Sequence, residues 1–322
     1  METSGHIRHA PVLAAFSPEA GAREPVEFAV AASRITGAPL IIAVVVDTGS
    51  PVRLGGTVAA DGPSLPAGVA APVRHLQSEL EGRGVPVEVR VFEDSTAARG
   101  LARAIDELEP ELVVVGATSR GERGALLLGT TAGRVIRVSA CPVAVVPRGY
   151  TRPENGVQVV CAAYTRTPEG QDALRAAASL ARSGRVALRV IHVVEPKHMQ
   201  EEAHQLMAEQ HHAVGAESQY AARTRLDIEA QTRAAVAEVA GDLDADVDLM
   251  IDEPVRALAA ASGHVDLLVM GSRGLGPRRS VVLGSVSRRV IERAACPVIV
   301  IPRDTEAKSE ELLSDVEAHA PR

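Results

Sequence analysis

Near the C-terminal end of the chain, glycine, serine and arginine recur at a spacing suited to gripping an anion. Gly271-Ser272-Arg273-Gly274 is followed, after nine residues, by Gly284-Ser285; the first group closes an apolar run and the second opens a stretch of helical periodicity. Glycine at 271 and 274 lets the backbone turn and approach a ligand with no side chain in the way. At Gly284-Ser285 the first amides of the coming helix have no intrahelical partner. Together with the helix dipole they favour negative charge, and a serine hydroxyl adds a donor. Ser272, Arg273, Arg278 and Arg279 share the loop and can supply hydrogen bonds or compensating charge. Spacing alone therefore indicates an anion or a nucleotide, against the plainer reading of glycines that only turn the chain and cap a helix. No Gly-x4-Gly-Lys-Ser/Thr run occurs, which excludes a P-loop NTPase, and the first apolar run is not followed by a dinucleotide fingerprint.

The motif has an earlier counterpart. The segment from Leu112 to Arg148 lies on Leu267 to Arg303 without a gap, matching Gly116 to Gly271, Gly129 to Gly284 and Cys141-Pro142-Val143 to Cys296-Pro297-Val298. Fold constraints alone account for matching apolar strands, not for matching glycines and Cys-Pro pairs, so the chain reads as a tandem duplication. The earlier copy is degenerate: Gly116-Ala117-Thr118-Ser119 is followed after nine residues by Gly129-Thr130, with Ser119 where the second glycine is expected. Gly121 offers a shifted turn, and Thr130 keeps a hydroxyl.

Around these motifs each copy alternates apolar strand runs with helix-period stretches, the pattern of helices packed on both faces of a parallel sheet. Each copy is thus expected to be a doubly wound, five-stranded α/β domain, the first over residues 8–149 and the second over 155–304, followed by a flexible tail over 305–322. Strands are expected at Pro11–Phe16, Leu40–Val46, Val85–Val91, Leu112–Gly116 and Val143–Val146, then at Val157–Ala162, Ala187–Val194, Val247–Ile251, Leu267–Met270 and Val298–Ile301. Ser17-Pro18-Glu19 and Thr167-Pro168-Glu169 read as helix starts, with Ser or Thr as N-cap and Pro in the first turn, and Ser95 as a third. The copies differ after their second strands. The first carries a Gly/Pro-rich surface loop, Gly49 to Pro66. The second carries a polar helical insertion over 196–240, broken near Gly215, of the kind that forms an interface or a lid. Residues Gly149 to Gly156 are polar and turn-prone, as a linker would be.

Length and composition set the outer bounds. A chain of 322 residues accommodates two domains better than one. Aromatic residues make up 2% with no Trp, and the net charge is −7, so stacking platforms and a phosphate-backbone footprint are both lacking and nucleic acid is not an expected partner. Three cysteines are no disulfide framework, Met1 to Pro11 lacks the apolar core of a signal peptide, and no apolar run is long enough to span a membrane. A cytoplasmic protein without membrane association is expected.

The pattern of Gly, two residues, Gly, nine residues and Gly-Ser, running into an apolar helix and a Cys-Pro-Val strand, resembles the ATP-binding signature of universal stress proteins. The resemblance extends to Val190-Ile191-His192-Val193-Val194 and to both five-strand units, so it covers nearly the whole chain. It implies ATP, with or without Mg2+, as the ligand. Gly271, Ser272, Arg273, Gly274, Gly284 and Ser285 would hold ribose and phosphates, backbone near Val193 and Val194 would face adenine, and Gly116, Gly129 and Thr130 would form a weaker first site. Two features depart from the family. ATP-binding members carry an Asp at the end of the first strand, where this chain has Ala15 in one copy and Ala163 in the other. Losing one charge-assisted hydrogen bond weakens affinity by about 1.5 to 3 kcal/mol. The resemblance therefore also admits another adenine nucleotide, or a nucleotide-free tandem protein acting as an interaction scaffold. By the same resemblance, the two last strands would pair the copies within the chain as a pseudo-dimer, with a further homodimer through the insertion.

Other chemistry is weakly supported. His204, His211 and His212 lie among acids on the insertion, but no complete ligand set at metal spacing accompanies them, and a solvated helix face is the simpler reading. Cys141, Cys161 and Cys296 sit in or beside strands and read as core, and His192 reads as a satisfied core histidine rather than a ligand contact. No nucleophile, base and orienting partner can be assembled, so catalysis is expected to be absent or limited to slow ATP hydrolysis.

Overall fold

The computed structural model describes residues 10–18, 21–47, 67–117, 128–209, 217–241, 243–272 and 283–302. The chain divides into two compact units at Gly156–Val157.

The first unit runs β1 (Val12–Phe16), α1 (Glu24–Thr36), β2 (Leu40–Asp47), α2 (Ala67–Gly82), β3 (Val87–Asp94), α3 (Ala97–Leu108), β4 (Leu112–Gly116), α4 (Thr130–Val138) and β5 (Val143–Val146). Its strands lie in the order β3-β2-β1-β4-β5, and the described pairs are parallel. The central strands are apolar without alternation because helices cover both faces; Val12, Leu13, Ile42, Val113 and Val114 are fully buried. Phe28 of α1 closes one face and takes the ring of Tyr150 edge-on at 6.0 Å. The same tie holds the linker's first residues, since the Gly149 amide donates to Glu24 Oε1 at 2.9 Å.

Two helix starts differ from expectation. α1 begins at Glu24, not after Ser17, because the chain first makes a turn in which the Gly21 amide donates to the Ser17 carbonyl at 3.2 Å. Gly21 takes a positive φ of 61°, which only glycine adopts cheaply, and Pro25 rather than Pro18 occupies the first helical turn. α3 begins at Ala97 with Thr96 as N-cap, its hydroxyl accepting the Arg99 amide at 3.3 Å. Ser95 instead donates its amide to Asp94 Oδ1 at 2.7 Å.

The second unit runs β6 (Val159–Tyr164), α5 (Pro168–Gly184), β7 (Ala187–Val194), α6 (Pro196–Glu209), α7 (Glu217–Ala240), β8 (Ala245–Ile251), α8 (Pro254–Ala261), β9 (Leu267–Gly271), α9 (Ser285–Ile291) and β10 (Val298–Ile301). The order within it, β8-β7-β6-β9-β10, repeats that of the first unit, again with parallel pairing. Thr167 caps α5 as its sequence suggests, the hydroxyl accepting the Gly170 amide at 3.2 Å with Pro168 in the first turn. The insertion is the helix pair α6 and α7. Along α7 every fourth residue from Tyr220 to Ala240 is buried, namely Tyr220, Thr224, Ile228, Thr232, Val236 and Ala240. Ile228 joins Val194 and Met199 in a small core beside Leu249. The loop Gly49 to Pro66, the break near Gly215 and the C-terminal tail lie outside the described residues. No described helix is long and apolar enough to cross a membrane.

Thr167→Ala removes the cap of the helix on which the loop after β6 is anchored. The expected cost is about 1 kcal/mol, read as a lowered urea midpoint for the second unit with unchanged helical content.

Candidate functional site

In the second unit β6 has β7 on one side and β9 on the other, so the loops after β6 and β9 leave the sheet in opposite directions. Between them, beyond the strands' C-terminal ends, an open α/β sheet has its ligand crevice. One wall is Thr165-Arg166-Thr167; the other leaves β9 at Gly271-Ser272 and returns at Gly284-Ser285.

The walls are drawn together by missing side chains. A Cβ on Gly271 would lie 2.4 Å from the carbonyl oxygen of Glu169, in the first turn of α5, and 2.8 Å from its carbonyl carbon. One on Gly170 would lie 2.2 Å from the Thr165 carbonyl oxygen. Both contacts are with backbone that cannot swing aside. Gly271 is therefore required by the seating of α5 on β9, a role independent of any ligand.

At the far end of the loop Gly284 is the extended N-cap of α9 (φ −61°, ψ 154°). The first helical hydrogen bond runs from the Arg288 amide to the Gly284 carbonyl at 3.0 Å, so the amides of Ser285, Val286 and Ser287 precede the helical ladder and have no intrahelical partner, the arrangement that suits an anion. Ser287 Oγ donates to the Gly271 carbonyl at 3.2 Å and ties the two ends of the loop. Ser272 is fully buried; its amide donates to the Ile301 carbonyl at 3.0 Å, and its hydroxyl has no partner among the described residues. Ser285 is exposed at the mouth. Arg273, Gly274, Arg278 and Arg279 lie outside the described residues.

The first unit repeats this frame more loosely. Gly129 caps α4 with φ −60° and ψ 154°, nearly the backbone of Gly284, with Thr130 opening the helix. The Ala117 amide donates to the Val146 carbonyl at 2.8 Å, as Ser272 does to Ile301. At Gly116, however, an added Cβ meets only the Pro25 ring, at 3.2 Å, and buried Ala132 stands in α4 where α9 has Ser287, so the tie across the loop is missing. Thr118, Ser119 and Gly121 lie outside the described residues.

On the β7 side, Val193 and Val194 end the strand against Met250 and Ile251. The Val194 carbonyl accepts the Asp252 amide at 3.1 Å, and its side chain is buried in the core under α7. His192 is a satisfied core residue. Its Nδ1 lies 2.8 Å from Thr232 Oγ1, whose own hydrogen goes to the Ile228 carbonyl at 2.8 Å, so Nδ1 is the donor. Tyr164 packs edge-on to it at 5.3 Å. Burial pushes the His192 pKa down to about 4. Ala15 and Ala163, half-buried between neighbouring strands, put methyl groups at the strand ends.

Arg166 lies outside the glycine motif. Its Nη1 donates to Gln231 Oε1 of α7 at 2.7 Å and its Nη2 to Glu202 Oε1 of α6 at 2.6 Å, so one side chain links the crevice wall to both insertion helices. The signal for it in the sequence is an arginine between two threonines directly after the strand at the switch point.

The remaining candidates carry little chemistry. The three cysteines are buried and form no disulfide, and burial pushes the Cys161 and Cys296 thiols up to about 12, far from nucleophilic. His204 is exposed, His211 and His212 lie outside the described residues, and no group of metal-binding side chains occurs among those described.

Comparison with known proteins accords with this frame. The model of the Universal stress protein family matches residues 10–147 and again 156–302. A universal stress protein of Mycobacterium tuberculosis is 28% identical over 242 residues, covering 72% of this chain and 79% of that one. Another from the same organism is 30% identical over 199 residues, covering 60% and 62%. The crystal structure of a universal stress protein from Archaeoglobus fulgidus superposes with a TM-score of 0.61 at 18% identity, over 92% of this chain and all of that one, a likeness of fold.

Two outcomes are expected. Gly271→Ala forces α5 off β9 and destabilises the second unit by about 2–3 kcal/mol, whereas Gly116→Ala, facing only a proline ring, costs under about 1 kcal/mol; chemical denaturation distinguishes them. His192 binds protons less readily folded than unfolded, so its contribution is complete above its ordinary pKa of 6.5 and drains away as pH falls toward about 4. The loss amounts to about 3 kcal/mol, and His192→Gln should remove that part of the pH dependence of unfolding.

Proposed function

The chain belongs to the universal stress protein family, and we propose that it serves there as a cytoplasmic nucleotide-binding module whose second unit holds ATP, with or without Mg2+, in the crevice between β6 and β9. The observation that carries this reading is the coincidence of three features at one place. The Gly-x2-Gly-x9-Gly-Ser motif, the topological switch point and the free first-turn amides of α9 all meet beyond the C-terminal end of β9. In this reading the amides of Ser285 and Val286 take phosphate oxygens, the Ser285 hydroxyl adds a donor, and Gly271, Ser272, Arg273 and Gly274 line the ribose and phosphates. Backbone at Val193 and Val194 faces the base. Gly116, Gly129 and Thr130 form a weaker counterpart in the first unit, where the loop ends are not tied.

A second reading, a nucleotide-free scaffold for protein contacts, is favoured by one specific observation: Gly271 is accounted for by packing against Glu169 alone. Nothing among the described side chains supplies a nucleophile and base, so any hydrolysis would rest on electrostatic stabilisation of bound ATP and be slow.

Mass spectrometry of the denatured purified protein is expected to find a co-purifying adenine nucleotide, and calorimetry to find ATP binding that Gly284→Val abolishes. Gly284 has an ordinary extended φ, so the substitution puts no strain on the backbone there. No nucleotide and no heat of binding would leave the scaffold reading standing instead.

A further inference from the structure

On the β7 side of the same crevice the loop after β6 carries an arginine whose charge is shared with Glu202 of α6. In dinucleotide-binding doubly wound folds a carboxylate about 20 residues past the glycine motif receives the ribose hydroxyl, whereas an arginine nearby accommodates a phosphate carried on the ribose. Here β6 ends on Ala163-Tyr164, and the adjoining Thr165-Arg166-Thr167 carries a guanidinium and no carboxylate. Gln231 and Glu202 hold that guanidinium on the β7 side of the loop, at 2.7 and 2.6 Å. It lies close enough to the strand ends for its charge to bear on the His192 ring and the Tyr164 phenol. The backbone beneath is stiff: the Thr165 and Thr167 hydroxyls are 3.0 Å apart, and the second also caps α5. In the nucleotide reading the amides of α9 take the phosphates on the β9 side, which leaves Arg166 for the opposite, ribose-and-base end. With 40% of its side chain exposed and 36% of that of Glu202, the pair faces water, where single ion pairs are weakly held. A phosphate offering a forked contact outcompetes one carboxylate oxygen.

We propose that the second unit selects adenine nucleotides phosphorylated on the ribose 2′ or 3′ hydroxyl, with Arg166 reading that phosphate and Glu202 and Gln231 positioning it. This rests on the nucleotide reading above and names its ligand more narrowly. It gives the insertion a part in recognition, since both positioning residues come from α6 and α7.

Calorimetry on the full chain with ADP and with adenosine 3′,5′-bisphosphate tests it, the two ligands carrying two phosphates each. The bisphosphate is expected to bind at least about tenfold more tightly. Arg166→Gln is expected to erase that preference while leaving ADP affinity within about twofold, and Glu202→Gln, which keeps the positioning hydrogen bond but removes the competing charge, to raise bisphosphate affinity. If Arg166→Gln does not fold, Arg166→Lys, which keeps the charge but not the fork, is expected to cut the preference severalfold. Equal affinities in the unaltered protein, or a preference that survives these substitutions, overturn the inference and leave nucleotide binding intact. Absence of binding by either ligand overturns both.

Discussion

The first turn of α5 rests on the end of β9 because Gly271 has no side chain, and the rest of the crevice takes its geometry from that contact. With 2.4 Å between a would-be Cβ and the Glu169 carbonyl oxygen, no other residue fits without moving backbone. The contact brings the loop after β6 and the loop after β9 to one place. Ser287 then holds the start of α9 to the Gly271 carbonyl, so the first turn of that helix is fixed relative to the wall that carries Arg166.

In the first unit the same contact is relaxed. Its strand order and the backbone of its helix cap repeat those of the second, yet Gly116 meets a proline ring instead of a carbonyl, and Ala132 offers nothing to tie the loop. Duplicated folds keep their strands because buried apolar runs tolerate little change. Polar ties at the loop ends are free to be lost once one copy suffices.

Much of the fold was legible in the chain because buried parallel strands are short unbroken apolar runs; the strands at Leu112–Gly116, Val143–Val146, Ala187–Val194 and Val298–Ile301 have the bounds those runs suggest. Where polar residues join a strand, the apolar run misleads. β3 starts at Val87, not Val85, whose amide turns back to the Leu80 carbonyl at 2.9 Å, and it continues through Glu93 and Asp94 because both pair with β2. At the site the glycine spacing was legible, but the reason for Gly271 was not, since its partner Glu169 is remote in sequence. Arg166 was hidden for the same reason: its meaning depends on Glu202 and Gln231, which reach it only through the folding of α6 and α7.

The buried row along α7 has a mechanical corollary. Residues four apart advance about 40° beyond a full turn of an α-helix, so a row from Tyr220 to Ala240 winds around the helix instead of running down one side. Its grip accordingly passes from neighbour to neighbour: Ile228 is set among Met199 and Val194, while the Ala240 carbonyl is held by Arg182 of α5 at 3.0 Å. A rod wrapped in this way does not lift off in one piece. Its middle and its C-terminal end are therefore seated on different neighbours, α6 beside Ile228 and α5 at Ala240.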